Sequence, residues 1–233
     1  MSVDLGIYEK AMPESFSFNE KLALARRAGF DYLEISIDES DKKLSRVFDA
    51  STRREFVTAA KNSDIRVKTM CLSGHRRFPL GSHDAETRKK SLELMQAAID
   101  FALDAGVRII QLAGYDVYYE EGDDFTRAAF AENLAKCAEM AARAGVYMGF
   151  ETMETEFMNT ATKAKRYVDM INSPYLKIYP DMGNIRNATD DYLGDLRACR
   201  GDIIAAHLKE TVEGVYRDME FGDGRVDFAG CIT

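Results

Sequence analysis

Short apolar runs alternate with longer amphipathic segments along the chain. Runs such as "VDLGIY" (3–8) and "YLEIS" have the length and composition of buried strands. The longer segments repeat apolar residues at helical spacing, and the clearest covers residues 84–105, where Asp84 is suited to cap a helix. Its apolar face consists of Leu92, Met95, Ile99 and Leu103. The pattern therefore predicts strand–helix units that repeat along the chain.

A recurring junction marks where these helices end and strands begin. "ARRAGFDYLEIS", "ALDAGVRIIQLA" and "AARAGVYMGFET" each join an alanine-rich helix end, a glycine and a strand. Gly29, Gly106 and Gly145 are expected to adopt the left-handed backbone that ends many helices. "KNSDIRVKTMC", "NSPYLKIYPD" and "CRGDIIAAHLK" are looser versions. The predicted helices are 18–28, 51–62, 84–105, 124–144 and 159–171. The predicted strands lie near 3–8, 31–36, 65–71, 107–112, 146–151, 176–180 and 203–207.

Buried strands that alternate with amphipathic helices predict an α/β fold, in which helices cover a parallel sheet. A doubly wound sheet and a closed (β/α)8 barrel both satisfy this pattern. No GxGxxG or GxxxxGK[ST] motif follows a strand, which disfavours a nucleotide-binding doubly wound fold.

Composition and charge narrow the class of protein. The 233 residues are 46% hydrophobic and 30% charged, which is ordinary for a globular protein. A net charge of −8, with only short basic runs, disfavours nucleic acid as a partner. The four cysteines form no CxxC pair and indicate reduced thiols. No signal peptide or membrane-length apolar stretch is present, so we expect a cytoplasmic protein with no membrane partner.

Polar side chains stand at the predicted carboxyl ends of the strands, where function gathers in both candidate folds. The second strand ends in Glu34 and Ser36, and the fourth ends in Gln111. The first strand ends in Tyr8 and Glu9, and Glu9 is suited to pair with an arginine.

Three consecutive strand ends carry metal-ligating residue types: Glu151, Asp181 and His207. A single acid there is more commonly a helix cap or a solvated loop residue, and a single buried histidine is more commonly structural. Together, two carboxylates and an imidazole suit a divalent cation such as Mn²⁺, Zn²⁺ or Mg²⁺. We therefore hypothesise a metal site at this edge of the sheet.

Five segments connect the chain to a known family: "LGIYEKAMP", "CLSGHRRFPLGS", "IQLAGYDVYYEE", "YPDMGN" and "HLKET…YRDMEFGDGRVDF". They closely resemble the sugar-phosphate 3-epimerases that act on L-ribulose or L-xylulose 5-phosphate, within the xylose-isomerase-like TIM-barrel superfamily. The resemblance extends from Val3 to the end of the chain. It implies a single (β/α)8 TIM-barrel domain over residues 1–233 and a sugar phosphate as substrate. Some members of the family are labelled hexulose-6-phosphate isomerases, which is the alternative activity.

The resemblance also implies a ligand set. The family binds one divalent metal through a Glu, an Asp, a His and a second Glu, and the first three fall on Glu151, Asp181 and His207. Glu151 would also act as the catalytic acid/base. The second Glu belongs to an eighth strand, so we expect about seven strands here and a missing last helix–strand–helix portion. A catalytically impaired sugar-phosphate-binding fragment is therefore the further alternative.

Substrate contacts are expected from basic residues near the same edge. Arg76 and Arg77 follow the third strand and can bind a phosphate bidentately. His75 beside them can hydrogen-bond the substrate. Lys209 lies two residues beyond the predicted histidine ligand, so strand alternation directs it to the same side. Arg217 resembles the position at which relatives contact the substrate near the metal.

Two rival functions were weighed against an epimerase. An endonuclease of the same fold clusters several zinc ions with many histidines, whereas this acidic chain has only His75, His83 and His207. A sugar-phosphate-binding or assembly module without turnover is the second rival.

Unpaired edges on the first and seventh strands also make a homodimer plausible.

Overall fold

A parallel six-stranded sheet forms the centre of the molecule. The structure is a computed structural model that describes residues 3–232. The strands lie side by side in chain order, and each neighbouring pair is parallel. Such sequential order is that of a barrel, since a doubly wound sheet reverses its order at a switch point. The strands are β1 (Gly6–Tyr8), β2 (Tyr32–Ser36), β3 (Arg66–Leu72), β4 (Ile109–Ala113), β5 (Tyr147–Glu151) and β6 (Leu176–Tyr179).

The predicted seventh strand, 203–207, is present only as two isolated parallel bridges. Ile203 pairs with Ile178, and His207 pairs with Asp181. The register slips by one residue between these bridges, and Pro180 has no N–H to donate to a ladder. A continuous strand is therefore interrupted, yet His207 N still donates to the Pro180 carbonyl at 2.9 Å. The segment follows the barrel path without forming a regular strand.

Helices cover the outer face of the sheet. The five predicted helices are confirmed to within two residues, and the Asp84 carboxylate accepts the Thr87 N–H at 2.8 Å as the predicted cap. Three short helices, Asp41–Phe48, Met182–Ala188 and Tyr192–Ala198, were not predicted, and the start of a helix that "VDFAGCIT" predicts is confirmed at Phe228–Ile232. Within residues 3–232, no helix is both long and apolar enough to cross a membrane. The helices are α1 (Phe18–Arg27), α2 (Asp41–Phe48), α3 (Ala50–Lys61), α4 (Ala85–Ala105), α5 (Asp124–Ala144), α6 (Ala161–Ile171), α7 (Met182–Ala188), α8 (Tyr192–Ala198) and α9 (Phe228–Ile232).

The glycine junctions behave as predicted. Gly29, Gly106 and Gly145 have φ angles of 87°, 80° and 68°, and each follows a helix. A side chain at these angles would be strained, so the glycines permit the sharp turn from helix to strand.

The two faces of the sheet differ in polarity. In β2, Leu33 and Ile35 belong to the apolar core beneath the helices, whereas Glu34 and Ser36 alternate with them and face inward. The Tyr179 hydroxyl on β6 donates to Glu34 Oε2 at 2.9 Å. Because β2 and β6 are four strands apart, this bond shows that the sheet curls until its inner face closes on itself. The interior is therefore polar near the carboxyl ends of the strands.

A buried ionic cluster joins the end of β1 to α2. The Glu9 carboxylate accepts two bonds from Arg46, at 2.6 and 2.8 Å, and one from Lys43 at 2.5 Å. Lys21 lies 3.6 Å away. Burial raises the pKa of Glu9, but the cations outweigh burial and lower this pKa to about 2. The predicted pairing of Glu9 with an arginine is confirmed.

Candidate metal centre

The structure brings Glu151, Asp181 and His207 together at the carboxyl end of the sheet. Glu151 is the last residue of β5, Asp181 lies two residues beyond β6, and His207 pairs with it through the second isolated bridge. One ligand atom from each residue lies within 4.8 Å of the other two. These three residues therefore have the spacing that a single bound cation requires.

The imidazole of His207 lies between two carboxylates. Its Nδ1 is 2.7 Å from Glu151 Oε1, and its Nε2 is 2.7 Å from Glu34 Oε1. The Tyr179 ring packs edge-on against the imidazole at a centroid distance of 4.9 Å. Burial lowers the pKa of His207, but the charges of Glu34 and Glu151 outweigh it and raise this pKa well above its ordinary value. Both ring nitrogens of His207 are therefore within hydrogen-bond distance of a carboxylate.

Asp181 both caps a helix and faces the site. Its Oδ1 accepts the Asn184 N–H at 2.8 Å at the start of α7, and its Oδ2 lies 3.2 Å from Lys209 Nζ. Burial raises the pKa of Asp181, Lys209 opposes this rise, and the charge of Glu151 adds to it. Lys209 also donates to Asn184 Oδ1 at 2.6 Å. Asp181 thus caps α7, which is the commoner role of such an acid, and also belongs to the group of candidate metal ligands.

Gln111 on β4 holds the other oxygen of Glu151. Its Nε2 donates to Glu151 Oε2 at 2.5 Å. Its Oε1 is buried and has no hydrogen-bond partner among the described residues. A buried amide oxygen without a partner is costly, so this atom is available to a hydroxyl donor that enters the site.

The charges around His207 fit a divalent cation. The carboxylates of Glu34, Glu151 and Asp181 face one imidazole and the ammonium of Lys209, so acid is in excess. Oxygen and nitrogen donors of this kind suit Mn²⁺, Zn²⁺ or Mg²⁺. A cation bound here would take the place of any proton shared by His207 Nδ1 and Glu151 Oε1, because metal binding requires both ligands to be unprotonated. The residues present therefore fit a metal ion.

Two of the predicted substrate residues, Arg76 and Arg217, lie at one cluster that contains Tyr115 and Glu154. The Arg76 guanidinium lies over the rings of Tyr115 and Tyr118, at 5.6 and 5.1 Å from their centroids. The Tyr115 hydroxyl donates to Glu154 Oε2 at 2.7 Å, and Arg217 lies 3.9 Å from Glu154 Oε1. Arg76 Nε is buried without a hydrogen-bond partner in the described part of the chain. Arg76 and Arg217 thus contact one polar cluster.

His75 and Arg77 have different surroundings. His75 is buried, its Nε2 lies 3.1 Å from the Ser91 carbonyl on α4, and burial lowers its pKa to about 4. Arg77 is 46% exposed and pairs with Asp41 of α2 at 2.6 Å. These contacts involve helices outside the barrel, and both substrate assignments stay predictions.

Glu34 is the part of the site that the sequence identified without a role. The sequence marks Glu34 only as a polar end of the second strand, and the structure adds it to the cluster through His207. The signal was an acid in the middle of the apolar run "YLEIS", a position that requires a polar partner when buried.

Known proteins resemble this chain in sequence and in fold. The family model described as Xylose isomerase-like TIM barrel matches residues 22–233. The L-ribulose-5-phosphate 3-epimerase UlaE of Escherichia coli is 46% identical over 230 residues, which is 98% of this chain and 81% of that protein.

Solved structures give the same fold. The D-allulose 3-epimerase from Methylomonas sp., in complex with D-allulose, matches with a TM-score of 0.79 at 21% identity. The match covers 98% of this chain and 78% of the epimerase chain. A structure of L-ribulose 3-epimerase has a TM-score of 0.76 at 21% identity, with coverages of 98% and 75%. These likenesses, together with the curled six-stranded sheet, confirm the predicted TIM-barrel fold class.

Proposed function

The chain belongs to the xylose isomerase-like TIM-barrel family, and we propose that it is a sugar-phosphate 3-epimerase that interconverts L-ribulose 5-phosphate and L-xylulose 5-phosphate. One observation carries this assignment: 46% identity over 98% of the chain to a protein named for that activity. The convergence of Glu151, Asp181 and His207 supports it, because the reaction needs charge stabilisation beside an acid/base group.

Glu151, Asp181 and His207 would hold one divalent metal, Mn²⁺, Zn²⁺ or Mg²⁺. When bound, the ion supplies positive charge that stabilises the negative charge developing on the ketose oxygens. Lys209 keeps Asp181 in place through its 3.2 Å contact and is close enough to donate to a substrate oxygen as well.

Glu151 would move the proton. The hydrogen on the carbon next to the ketone is weakly acidic, and a carboxylate held at fixed distance removes it once the product charge is stabilised. Gln111 orients this carboxylate through its 2.5 Å bond and leaves its own Oε1 for a substrate hydroxyl. Inversion also requires proton return on the opposite face, so exchange and inversion are to be measured separately.

Arg76 and Arg217 would bind the phosphate group. Both lie at the polar cluster around Glu154, and the unpartnered Nε of Arg76 offers a buried donor to an anion. The rings of Tyr115 and Tyr118 beneath Arg76 restrict its guanidinium, and a guanidinium can contact phosphate oxygens bidentately. His75 and Arg77 are weaker candidates because their contacts are with α4 and α2.

The function is tested with L-ribulose 5-phosphate in D₂O, with and without Mn²⁺. We expect deuterium to enter at C3 and L-xylulose 5-phosphate to form, both only with metal. L-Ribulose without phosphate and a hexulose 6-phosphate serve as competing substrates, and Glu151→Gln serves as the inactive control. Exchange without epimer would indicate a single working acid/base, and absence of both with every substrate would contradict the proposal.

The remaining partner assignments are also proposals. The net charge of −8 supports the proposal that the chain binds no nucleic acid. A nicking assay on an abasic duplex tests this proposal. A homodimer is tested by light scattering at several protein concentrations.

A further inference from the structure

The two nitrogens of His207 face different partners. Nδ1 lies 2.7 Å from Oε1 of Glu151, one of the three residues that would hold the metal. Nε2 lies 2.7 Å from Glu34 Oε1 on the opposite side of the ring. Imidazole binds a metal through a nitrogen that carries no proton, so the proton must sit on the other nitrogen. Which nitrogen is free depends on the acceptor that the other one meets.

Glu34 is itself held firmly. It is 3% exposed, and its Oε2 accepts bonds from Thr69 Oγ1 at 2.7 Å and from the Tyr179 hydroxyl at 2.9 Å. These donors lie on β3 and β6, so the carboxylate is anchored across the barrel interior. Its Oε1 is thereby left to face His207.

A buried carboxylate is costly unless its bonds compensate the loss of water. Within the described residues, the basic side chain that contacts Glu34 is the imidazole of His207. By contrast, the equally buried Glu9 contacts Arg46 and Lys43 of α2 and holds that helix to the sheet. The partners of Glu34 lie on the strands and on His207 rather than on a helix.

We propose that Glu34 is a positioning residue of the metal centre. It keeps the proton of His207 on Nε2 and fixes the ring plane, so that the Nδ1 lone pair points toward Glu151 and Asp181. This inference rests on the proposed function only in requiring that the site bind a divalent ion. In metal proteins, loss of a carboxylate that accepts from a ligating histidine lowers metal affinity about 10–100-fold.

The test compares Glu34→Gln with a matched control, Glu9→Gln, in the full chain. Both substitutions neutralise one buried acid of the same size, and circular dichroism establishes that each variant is folded. Mn²⁺ affinity is measured by titration calorimetry. We expect Glu34→Gln to weaken binding at least about tenfold, and Glu9→Gln to change it less than about twofold, the scatter expected between independent sites.

A second readout follows the histidine directly. The chain has three histidines, so long-range ¹H–¹⁵N spectra of the Zn²⁺-loaded protein resolve His207 with His207→Asn as reference. We expect a single Nε2–H tautomer in the native protein and a mixed or mobile ring in Glu34→Gln. An unchanged tautomer with unchanged Mn²⁺ affinity overturns the proposal.

The failures of the two proposals are distinguishable. A native chain that binds Mn²⁺ but neither exchanges nor epimerises L-ribulose 5-phosphate contradicts the function and leaves the role of Glu34 intact. A native chain that binds no divalent ion contradicts both. A chain that epimerises normally with Glu34→Gln at saturating and limiting Mn²⁺ contradicts only the role of Glu34.

Discussion

Two buried acids stand near the ends of neighbouring strands, yet their surroundings are opposite in charge. Glu9, just after β1, is enclosed by Arg46, Lys43 and Lys21, so cations outnumber the acid. Glu34, on β2, lies on the inner face. Both are almost fully buried, at 1% and 3% exposure. Burial alone therefore does not separate a structural acid from a functional one.

The cluster around His207 has the opposite charge excess to the cluster around Glu9. Glu34, Glu151 and Asp181 share one imidazole, His207, and one ammonium, Lys209. A cation excess around Glu9 joins a helix to the sheet and needs nothing further. An acid excess around His207 would be relieved by a bound divalent cation. The sign of the charge excess, rather than the presence of charge, therefore distinguishes the ionic cluster at Glu9 from the candidate metal centre.

The largest expected effect is on turnover, in the acid-rich region. Glu151→Gln removes the proposed acid/base, so kcat for L-ribulose 5-phosphate should fall by about 10²–10⁴-fold. The free energy of unfolding should change little, because the charge repulsion between Glu151 and Asp181 disappears together with the bond to His207. Coupled epimerase assays and urea unfolding measure the two quantities. A variant that keeps normal kcat would remove Glu151 from the mechanism.

The reverse outcome is expected in the cation-rich region. Glu9→Gln leaves Arg46 and Lys43 buried without their counter-charge, which should lower the free energy of unfolding by about 3–5 kcal/mol. KM and Mn²⁺ affinity should stay as in the native chain. Urea unfolding followed by circular dichroism gives the loss of stability. A Glu9→Gln variant that lost activity but kept its stability would contradict the structural role of Glu9.

Lowering the pH tests the stabilising role of Glu9 in a second way. Because the folded-state pKa of Glu9 is lowered to about 2 from its ordinary 4.5, folding is favoured wherever this carboxylate is ionised. Its contribution, roughly 3 kcal/mol, is complete above about pH 4.5 and disappears as the pH falls toward 2. The stability difference between the native chain and Glu9→Gln should therefore shrink between pH 5 and pH 2.5. A difference that stays constant over this range contradicts the lowered pKa.

The smallest effect concerns two adjacent arginines. Arg76→Lys keeps the charge but loses the stacked, bidentate guanidinium, so KM for L-ribulose 5-phosphate should rise about tenfold. Arg77→Lys changes an exposed pair with Asp41 and should alter KM less than about twofold. Steady-state kinetics of the two variants decide which arginine binds phosphate. Equal increases would give Arg77 the role that the sequence also allowed.

Periodicity and glycine chemistry located most elements correctly. The five long helices and the first six strands were found because their apolar spacing and their capping residues are local features, as Asp84 and Gly106 illustrate. The short helices α2, α7 and α8 escaped because seven or eight residues hold too few turns for a period to show. The break in the seventh strand depends on a register slip against another segment, which no local pattern records.

The residues of the candidate site also include some that the sequence predicts and some contacts that it cannot predict. Glu151, Asp181 and His207 could be named in advance because parallel strands bring their carboxyl ends to one edge. The partner of Glu34 could not be named, since it is separated from His207 by 173 positions along the chain. Likewise, Arg46 could not be chosen among the arginines as the partner of Glu9.

Residue order in this chain was enough to predict the strand–helix repeat and three candidate metal ligands, and the resemblance to a known family predicted the barrel. The repeat follows from spacing along the backbone, and the candidate ligands follow from the common direction of parallel strands. Curling of the sheet then selected which buried acids meet which cations, because contacts across a barrel interior depend on register and closure. The tertiary structure thus decides whether a buried acid faces an excess of cations, as Glu9 does, or other acids, as Glu34 does.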